Sequence, residues 1–426
     1  MTRFTTLLAS TALLTGAAFA QTDNSGLGHV EGQAPATGET TAAPGAPVET
    51  NPPNAPDQQP ASADQTRAPQ PGSMPQIVTE VVAEGLPHLW AMEFLPDGRM
   101  LVSAKEGEMM IVTAEGEAGE PIAGVPEVAS DGQGGLLDIA LSPQFASDQT
   151  IYFSFSEPRD GGNGTSVAKA RLVEDGDNAT LEDVDIIFRQ MPTYDGDKHF
   201  GSRLVFAPDG NLFVTVGERS DPEPRVQAQD LSSGLGKVFR ITPDGEAAEG
   251  NPFAGQADAL PEIWSYGHRN LQSAALDAEG NLWTVEHGPK GGDELNMPEA
   301  GLNYGWPVIT YGVEYSGAEV GDGLTAAEGM EQPVYYWDPV IGPSGMALYE
   351  GDAIPEWEGA MLIGGLVSQG VVVVHLENGR VASEERVPLD ARIRDVRVGP
   401  DGAVYAVTEA RGGGDSSIIR LTKAAD

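Results

Sequence analysis

The chain has 426 residues, no cysteine, and 64 acidic against 24 basic residues, a formal charge of −40. That balance opposes nucleic acid as a partner and attracts divalent cations. The lack of cysteine excludes disulfides, thiolate metal sites and an attached c-type haem.

Residues 1–20, MTRFTTLLASTALLTGAAFA, join Arg3, a short apolar run and the small-residue ending Ala18-Phe19-Ala20. This is the pattern of a secretory signal cleaved after Ala20, so a periplasmic location is expected. No later stretch reaches the roughly 18 apolar residues of a membrane span. Residues 21–76 are rich in Pro, Ala, Thr, Gly and Gln and poor in large apolar side chains. They read as a disordered linker, because too little surface can be buried to offset the entropy of ordering. Residues 77–426 remain as one domain. The first 76 residues hold two basic and six acidic side chains, which leaves a net charge of −36 on the domain. Any cluster of arginines there is therefore informative.

A turn followed by a strand recurs along the domain: FLPDGRMLVSAKEG from Phe94, LSPQFASDQTIYFSFS from Leu141 and FAPDGNLFVTVGE from Phe206. LDAEGNLWTVEHG follows from Leu276, LYEGDAIPEWEGAMLIGGL from Leu348 and VGPDGAVYAVTEA from Val398. Each sets an Asp/Gly turn before an apolar, β-branched run, a strand-entry signal. Spaced by roughly 50 to 70 residues, the units suit one four-stranded sheet each. The expected fold is all-β, a six-bladed β-propeller, with functional groups on loops that converge at one face of the central channel.

Polar clusters sit at the strand ends. They are DGQGGLLDIA from Asp131, DKHFGSRL from Asp197, EIWSYGHRNLQS from Glu262, EHGPKGGDELN from Glu286 and ARIRDVRVGPDG from Ala391. His199 is the best general base by residue type, with Asp197 or Glu218 to orient it; a lone histidine is more often a satisfied structural residue. Arg269, Arg392 and Arg394 would make a positive island for a ligand with several carboxylates or phosphates. The Arg392/Arg394 pair reads as readily as an edge strand blunted by charge. The GPKGGDE loop offers carbonyls at Gly288 and Pro289 and carboxylates at Asp293 and Glu294, oxygens suited to calcium rather than zinc.

In this order the motifs AMEFLPDG, GQGGLLDIALSP, HFGSRLVF, EIWSYGHRN, HGPKGGDELN, NYGWP, SGMALY and RIRDVRVGPDG, spread over about residues 77 to 424, resemble the soluble glucose/sorbosone dehydrogenases. These are quinoproteins that use pyrroloquinoline quinone (PQQ) and calcium. The resemblance implies that the chain oxidises an aldose at its anomeric carbon to the lactone, passing electrons to an unidentified acceptor. It makes His199 the catalytic base, with Gly201 allowing close backbone approach and Glu218 beside the histidine. Gln133, Asn270 and Tyr315 match cofactor contacts. Arg269 matches the arginine at the quinone oxygens, where it would stabilise developing charge, and Arg392 and Arg394 match the pair that grips cofactor carboxylates. Gly288 and Pro289 match the carbonyls of the catalytic calcium, Glu294 and the carbonyl of Tyr304 a second, structural one.

The chain departs from the family pattern where a cofactor-contacting lysine is common and it reads Gly365-Leu366-Val367. Two other functions compete: a calcium-dependent sugar-lactone hydrolase, which would need several carboxylates on its metal and no arginine grip, and a propeller that binds a ligand without catalysis. The sugar and the oligomeric state stay open.

Overall fold

The computed structural model describes residues 43–176, 178–409 and 414–425; the expected signal at 1–20 and residues 21–42 lie outside the described residues. The domain is a six-bladed β-propeller of antiparallel sheets, five with four strands and one with three. The six innermost strands, one per blade from blade 1 to blade 6, are Leu89–Phe94, Leu136–Leu141, Leu204–Phe206, Leu271–Leu276, Pro343–Leu348 and Ile393–Val398. They touch in that cyclic order around the channel. Each turn-and-strand unit read from the sequence falls on the hairpin between an innermost strand and the second strand of its blade.

In four of these hairpins the turn is closed by the same main-chain bond, from Leu95 to Arg99, Ala207 to Asn211, Asp277 to Asn281 and Gly399 to Ala403. Each turn holds a glycine at positive φ, between 74° and 88° (Gly98, Gly210, Gly280, Gly402), a conformation costly for any residue with a Cβ. That shared requirement made the repeat visible. Blade 1 has three regular strands, Leu89–Phe94, Met100–Ala104 and Glu108–Val112. Alongside the last, residues 117–122 make only scattered bonds, Gly119 to Ile111 and Ile122 to Met109. Blade 6 takes its outermost strand from the start of the domain, Ile77–Leu86 pairing with Ser416–Lys423.

A blade inside the ring is covered on both faces, so its strands read as continuous apolar runs. In Gly370–Glu377 of blade 5, Val372 and Val374 enter the seam with blade 4, and Val371 and Val373 the seam with blade 6. Side chains alternate across a strand, so one run feeds two cores. Each of the six seams holds such a cluster. Near the axis, hydroxyls on second strands tie blades 1, 2 and 3 each to the next: Ser103 donates to the Leu137 carbonyl, Ser154 to that of Ser202 and Thr215 to that of Leu271. Arg203, 2% exposed, crosses the channel to Asp138 (2.8 Å) and Asp395 (3.1 Å) and lies 4.4 Å from the Trp90 ring. The arginine of the H-x-G-x-R stretch is thus a cross-link between blades.

Residues 43–76 depart from the disordered linker expected. They are ordered along the outer edges of blades 4 and 5, where Tyr336 N–H donates to the Gln65 carbonyl and Glu384 N–H to that of Pro69. The segment is held by hydrogen bonds to main chain and side chains, which its lack of large apolar residues does not reveal.

Candidate active site

The ends of the inner strands that precede residues 89, 136, 204, 271, 343 and 393 all open on one face, and the expected polar clusters gather there. His199 stands just before Leu204–Phe206 with φ of +49°, an uncommon conformation for a residue with a side chain. It is held from several sides. Its N–H donates to Gln133 Oε1 (2.8 Å). Behind it the buried Arg219 packs on the Phe200 ring and donates to the carbonyls of Lys198 and Gly196. Gly201, at φ +66°, lies so close to the second strand that a Cβ would stand 2.8 Å from Val216 Cα. Close approach is thus required by this chain's own backbone.

His199 Nδ1 lies 2.6 Å from Glu218 Oε2, with both side chains buried. Glu218 Oε2 also accepts the Ser220 N–H, and Oε1 accepts the indole N–H of Trp306. A carboxylate acceptor fixes the proton on Nδ1 and leaves Nε2 as the basic nitrogen. Burial lowers the His199 pKa below 6.5, opposed by the Glu218 charge and assisted by Arg269. Burial alone would raise Glu218, but His199 and Arg269 outweigh it and hold the carboxyl below its usual range. The imidazole is therefore neutral and basic at neutral pH. Glu218→Gln removes the charge that favours the imidazolium, so the acid limb of the kcat/KM profile should move to lower pH, by about one unit, with a lower plateau. An unshifted limb would show that another group sets it.

Arg269 and Asn270 precede the inner strand of blade 4. Asn270 accepts the Gly201 N–H (3.0 Å), and Arg269 Nη1 donates to the His287 carbonyl (3.0 Å) while its guanidinium lies 5.1 Å from the Trp306 ring. A bonded chain leads on to blade 6: His287 meets Gln272 Oε1 (3.3 Å), which accepts Arg394 Nη1 (2.9 Å). Arg394 and Arg392 then share Glu409, and Arg392 also donates to the Leu366 carbonyl (3.0 Å). Two expectations change here. The strand Ile393–Val398 is innermost in its blade, not an exposed edge. The arginines are not a bare positive island, because Glu409, its carboxyl held near pKa 2 by both guanidiniums against the effect of burial, neutralises part of their charge. Arg269 Nε and Arg394 Nε are nonetheless buried without a hydrogen-bond partner, which an anionic ligand would remedy.

The loop after Leu282–Glu286 carries Gly288 and Pro289. Asp293 does not stand free as a metal ligand: Oδ1 accepts the Gly288 N–H, and Oδ2 accepts those of Ile341 and Gly342. It braces the loop, and burial pushes its pKa up to about 7. Glu294, Glu286, Gly288 and Thr310 line a narrow cavity with Arg269 and Trp306. Burial and the Glu286 charge drive the Glu294 carboxyl well above its ordinary range, so a cation fits the donor set. Among the described residues no three His, Cys, Asp or Glu side chains converge as a metal cage. A cation at the loop would thus draw on main-chain carbonyls. The Tyr304 ring stacks on His268, which in turn meets Glu286 at 2.9 Å. Tyr315 is 44% exposed on the 313–319 hairpin, which pairs with Lys290 of the same loop.

Val367 is half-buried in the turn after Met361–Gly365, and its neighbour Leu366 carries the carbonyl that binds Arg392. The turn therefore lies on the arginine face. If PQQ binds on this face, as the resemblance implies, Val367→Lys should tighten it by a few-fold to about a hundredfold, roughly 1–3 kcal/mol for a charged hydrogen bond. Unchanged affinity with a lower Tm would place residue 367 away from the cofactor. Sequence reading missed Glu409 and Trp306. NYGWP was quoted without a role for its indole, although a buried indole N–H requires an acceptor.

Residues 86–420 match the family model for glucose/sorbosone dehydrogenase. The chain is 43% identical over 343 residues to the aldose sugar dehydrogenase YliI of Escherichia coli, covering 79% of this chain and 91% of that protein. The apo-form structure of the soluble aldose sugar dehydrogenase from Escherichia coli superposes with a TM-score of 0.77 at 40% identity, covering 82% of this chain and 100% of that one. The PQQ-bound aldose sugar dehydrogenase of Streptomyces coelicolor gives 0.65 at 32%, again over 82% of this chain and 100% of that one. With its six blades and the polar groups gathered at one end of them, the chain belongs to the glucose/sorbosone dehydrogenase family.

Proposed function

We propose that the protein is a PQQ- and calcium-dependent aldose dehydrogenase that oxidises the anomeric carbon of a sugar to the lactone. The observation that carries this reading is the buried His199–Glu218 pair close to Arg269, in a site where Arg269 Nε and Arg394 Nε are buried without partners. When bound, PQQ supplies an acceptor for the hydride of the sugar C1, and calcium the positive charge that polarises it. Nε2 of His199 takes the proton of the anomeric hydroxyl while Glu218 stabilises the imidazolium that results. Arg269 offers its charge where negative charge develops, and Gln133 and Asn270 hold the His199–Gly201 backbone in place. Arg392 and Arg394 grip cofactor carboxylates, Gly288 and Pro289 give carbonyls to the catalytic cation, and Glu294 with the Tyr304 carbonyl serves a second one. Tyr315, on the hairpin paired with Lys290, would supply a further cofactor contact.

The leader at 1–20 supports export to the periplasm, and no helix of the described residues is long and apolar enough to cross a membrane. The test is reconstitution. Chelated, PQQ-free protein should show no aldose oxidation with an artificial acceptor; PQQ with calcium should restore it, and zinc should serve poorly. Full activity in metal-free protein would overturn the reading. Lactone hydrolysis with calcium alone would replace it by the hydrolase.

A further inference from the structure

The ordered segment before the domain ends against the loop that carries Gly288 and Pro289. Residues 43–70 form a narrow hairpin, with Val48 N–H bonded to the Ala68 carbonyl and Gln70 N–H to that of Ala46. From it, polar groups reach blade 4 at three places. The Asp338 carboxylate accepts the N–H groups of Asn54 (2.6 Å) and Ala55 (2.9 Å), while Arg67 donates to the Asp338 carbonyl (3.0 Å). The Tyr311 hydroxyl accepts the Ala61 N–H (3.2 Å) and meets the 2%-exposed Gln65 (3.2 Å). Gln58 donates to the Gly312 carbonyl (3.2 Å).

The same three residues form the floor of the loop. A Cβ on Gly291 would stand 2.8 Å from Asp338 Oδ1, one on Gly292 would stand 2.0 Å from the Tyr311 carbonyl, and one on Gly312 would stand 2.9 Å from the Pro289 ring. Gly292 N–H bonds to the Trp337 carbonyl, and Lys290 and Val313 exchange both main-chain bonds. The Tyr311 and Tyr336 rings stack between segment and loop at 4.0 Å. Glycines let the layers approach closely, so movement of the floor passes directly to Gly288 and Pro289.

We infer that residues 43–70 are a positioning element: an outer brace that holds the Gly288–Gly292 loop in its cation-binding shape. The inference rests on the reading of Gly288 and Pro289 as calcium ligands. The brace lies ahead of residue 86, where the family match begins, and ahead of Ile77–Leu86, the first strand of the ring. Outer-shell partners fix the orientation of ligands they never touch.

The test compares the intact chain with a variant lacking residues 43–70, and with Gln58→Ala/Arg67→Ala, which keeps the segment but removes two of its ties. Calcium affinity of PQQ-free protein is measured by competition with a chromophoric chelator, and amide hydrogen exchange is mapped in parallel. Calcium should bind about 10- to 100-fold more weakly without the brace, and less weakly affected in the double variant. Exchange should quicken at Lys290, Gly292 and Val313 while the Met100–Ala104 strand of blade 1 keeps its protection. Unchanged calcium affinity in both variants would overturn the inference. So would acceleration spread evenly over all blades, which marks a general stabiliser. An intact chain that takes up no calcium overturns the ligand assignment instead, and exchange at those three amides then decides the brace alone.

Discussion

His199→Ala should lower turnover about 10²- to 10⁴-fold, the usual worth of a positioned general base, with KM and PQQ affinity little changed. The arginine pair and the Gly288 loop approach from blades 6 and 4, so their geometry does not depend on the imidazole. Two side effects must be separated from the chemistry. Residue 199 has φ of +49°, where alanine is strained, and loss of the ring leaves the buried Glu218 with only the Ser220 and Trp306 donors. His199→Asn controls for both, since asparagine tolerates the left-handed region and its amide can donate to Glu218. Stopped-flow reduction of PQQ-loaded protein by aldose should be slow in both variants. Near-normal reduction in either would remove His199 from the reaction.

Arg394→Ala should weaken PQQ binding by about 2–5 kcal/mol, or roughly 30- to 5,000-fold. The loss comes from two sources. A cofactor carboxylate, on the proposed reading, would lose its partner, and the buried Glu409, relieved of one of its two guanidiniums, would turn its charge on the ligand. The double variant Arg394→Ala/Glu409→Gln should therefore recover part of the affinity, and Glu409→Gln alone should bind PQQ at least as tightly as the intact chain. Titration by fluorescence quenching at fixed calcium checks all three. If the double variant bound no better than the single one, Glu409 would be a scaffold for Arg392 and nothing more.

The fold was legible because its repeat has a local cause. A turn that needs a left-handed glycine can be written in few ways, and four hairpins share the same closing bond. His199, Glu218 and Arg269, which the structure brings together, drew attention through the family motifs that carry them and the apolar strands beside them. Glu409 could not. Its partners lie 15 and 17 residues away across a hairpin, and nothing in VTEARGG separates it from the other carboxylates of an acidic chain. Asp293 misled for the opposite reason: in a GPKGGDE loop a carboxylate looks like a ligand, and only three amides pointing at it show that it is a brace. The 43–70 segment was hidden because composition reports apolar burial, whereas this segment is held by Asp338, Tyr311 and edge-strand amides.

Ring closure has a consequence for how the molecule is made. The outermost strand of blade 6, Ile77–Leu86, and its partner, Ser416–Lys423, are separated by more than 300 positions. Blades 1 to 5 are each built from contiguous chain and can assemble as the polypeptide emerges in order. The sixth must wait. Until Ser416–Lys423 arrives, the earliest-made strand of the ring has no neighbour and the face of blade 1 toward blade 6 has no completed sheet against it. Joining ends so remote makes the last step slow, since loop closure precedes any contact that rewards it. The unfinished ring meanwhile presents open strand edges to other chains. Refolding from denaturant should thus show a late phase in which Ile77–Leu86 and Leu89–Phe94 gain protection together, and shortening the domain at either end should cost the whole ring and not one blade.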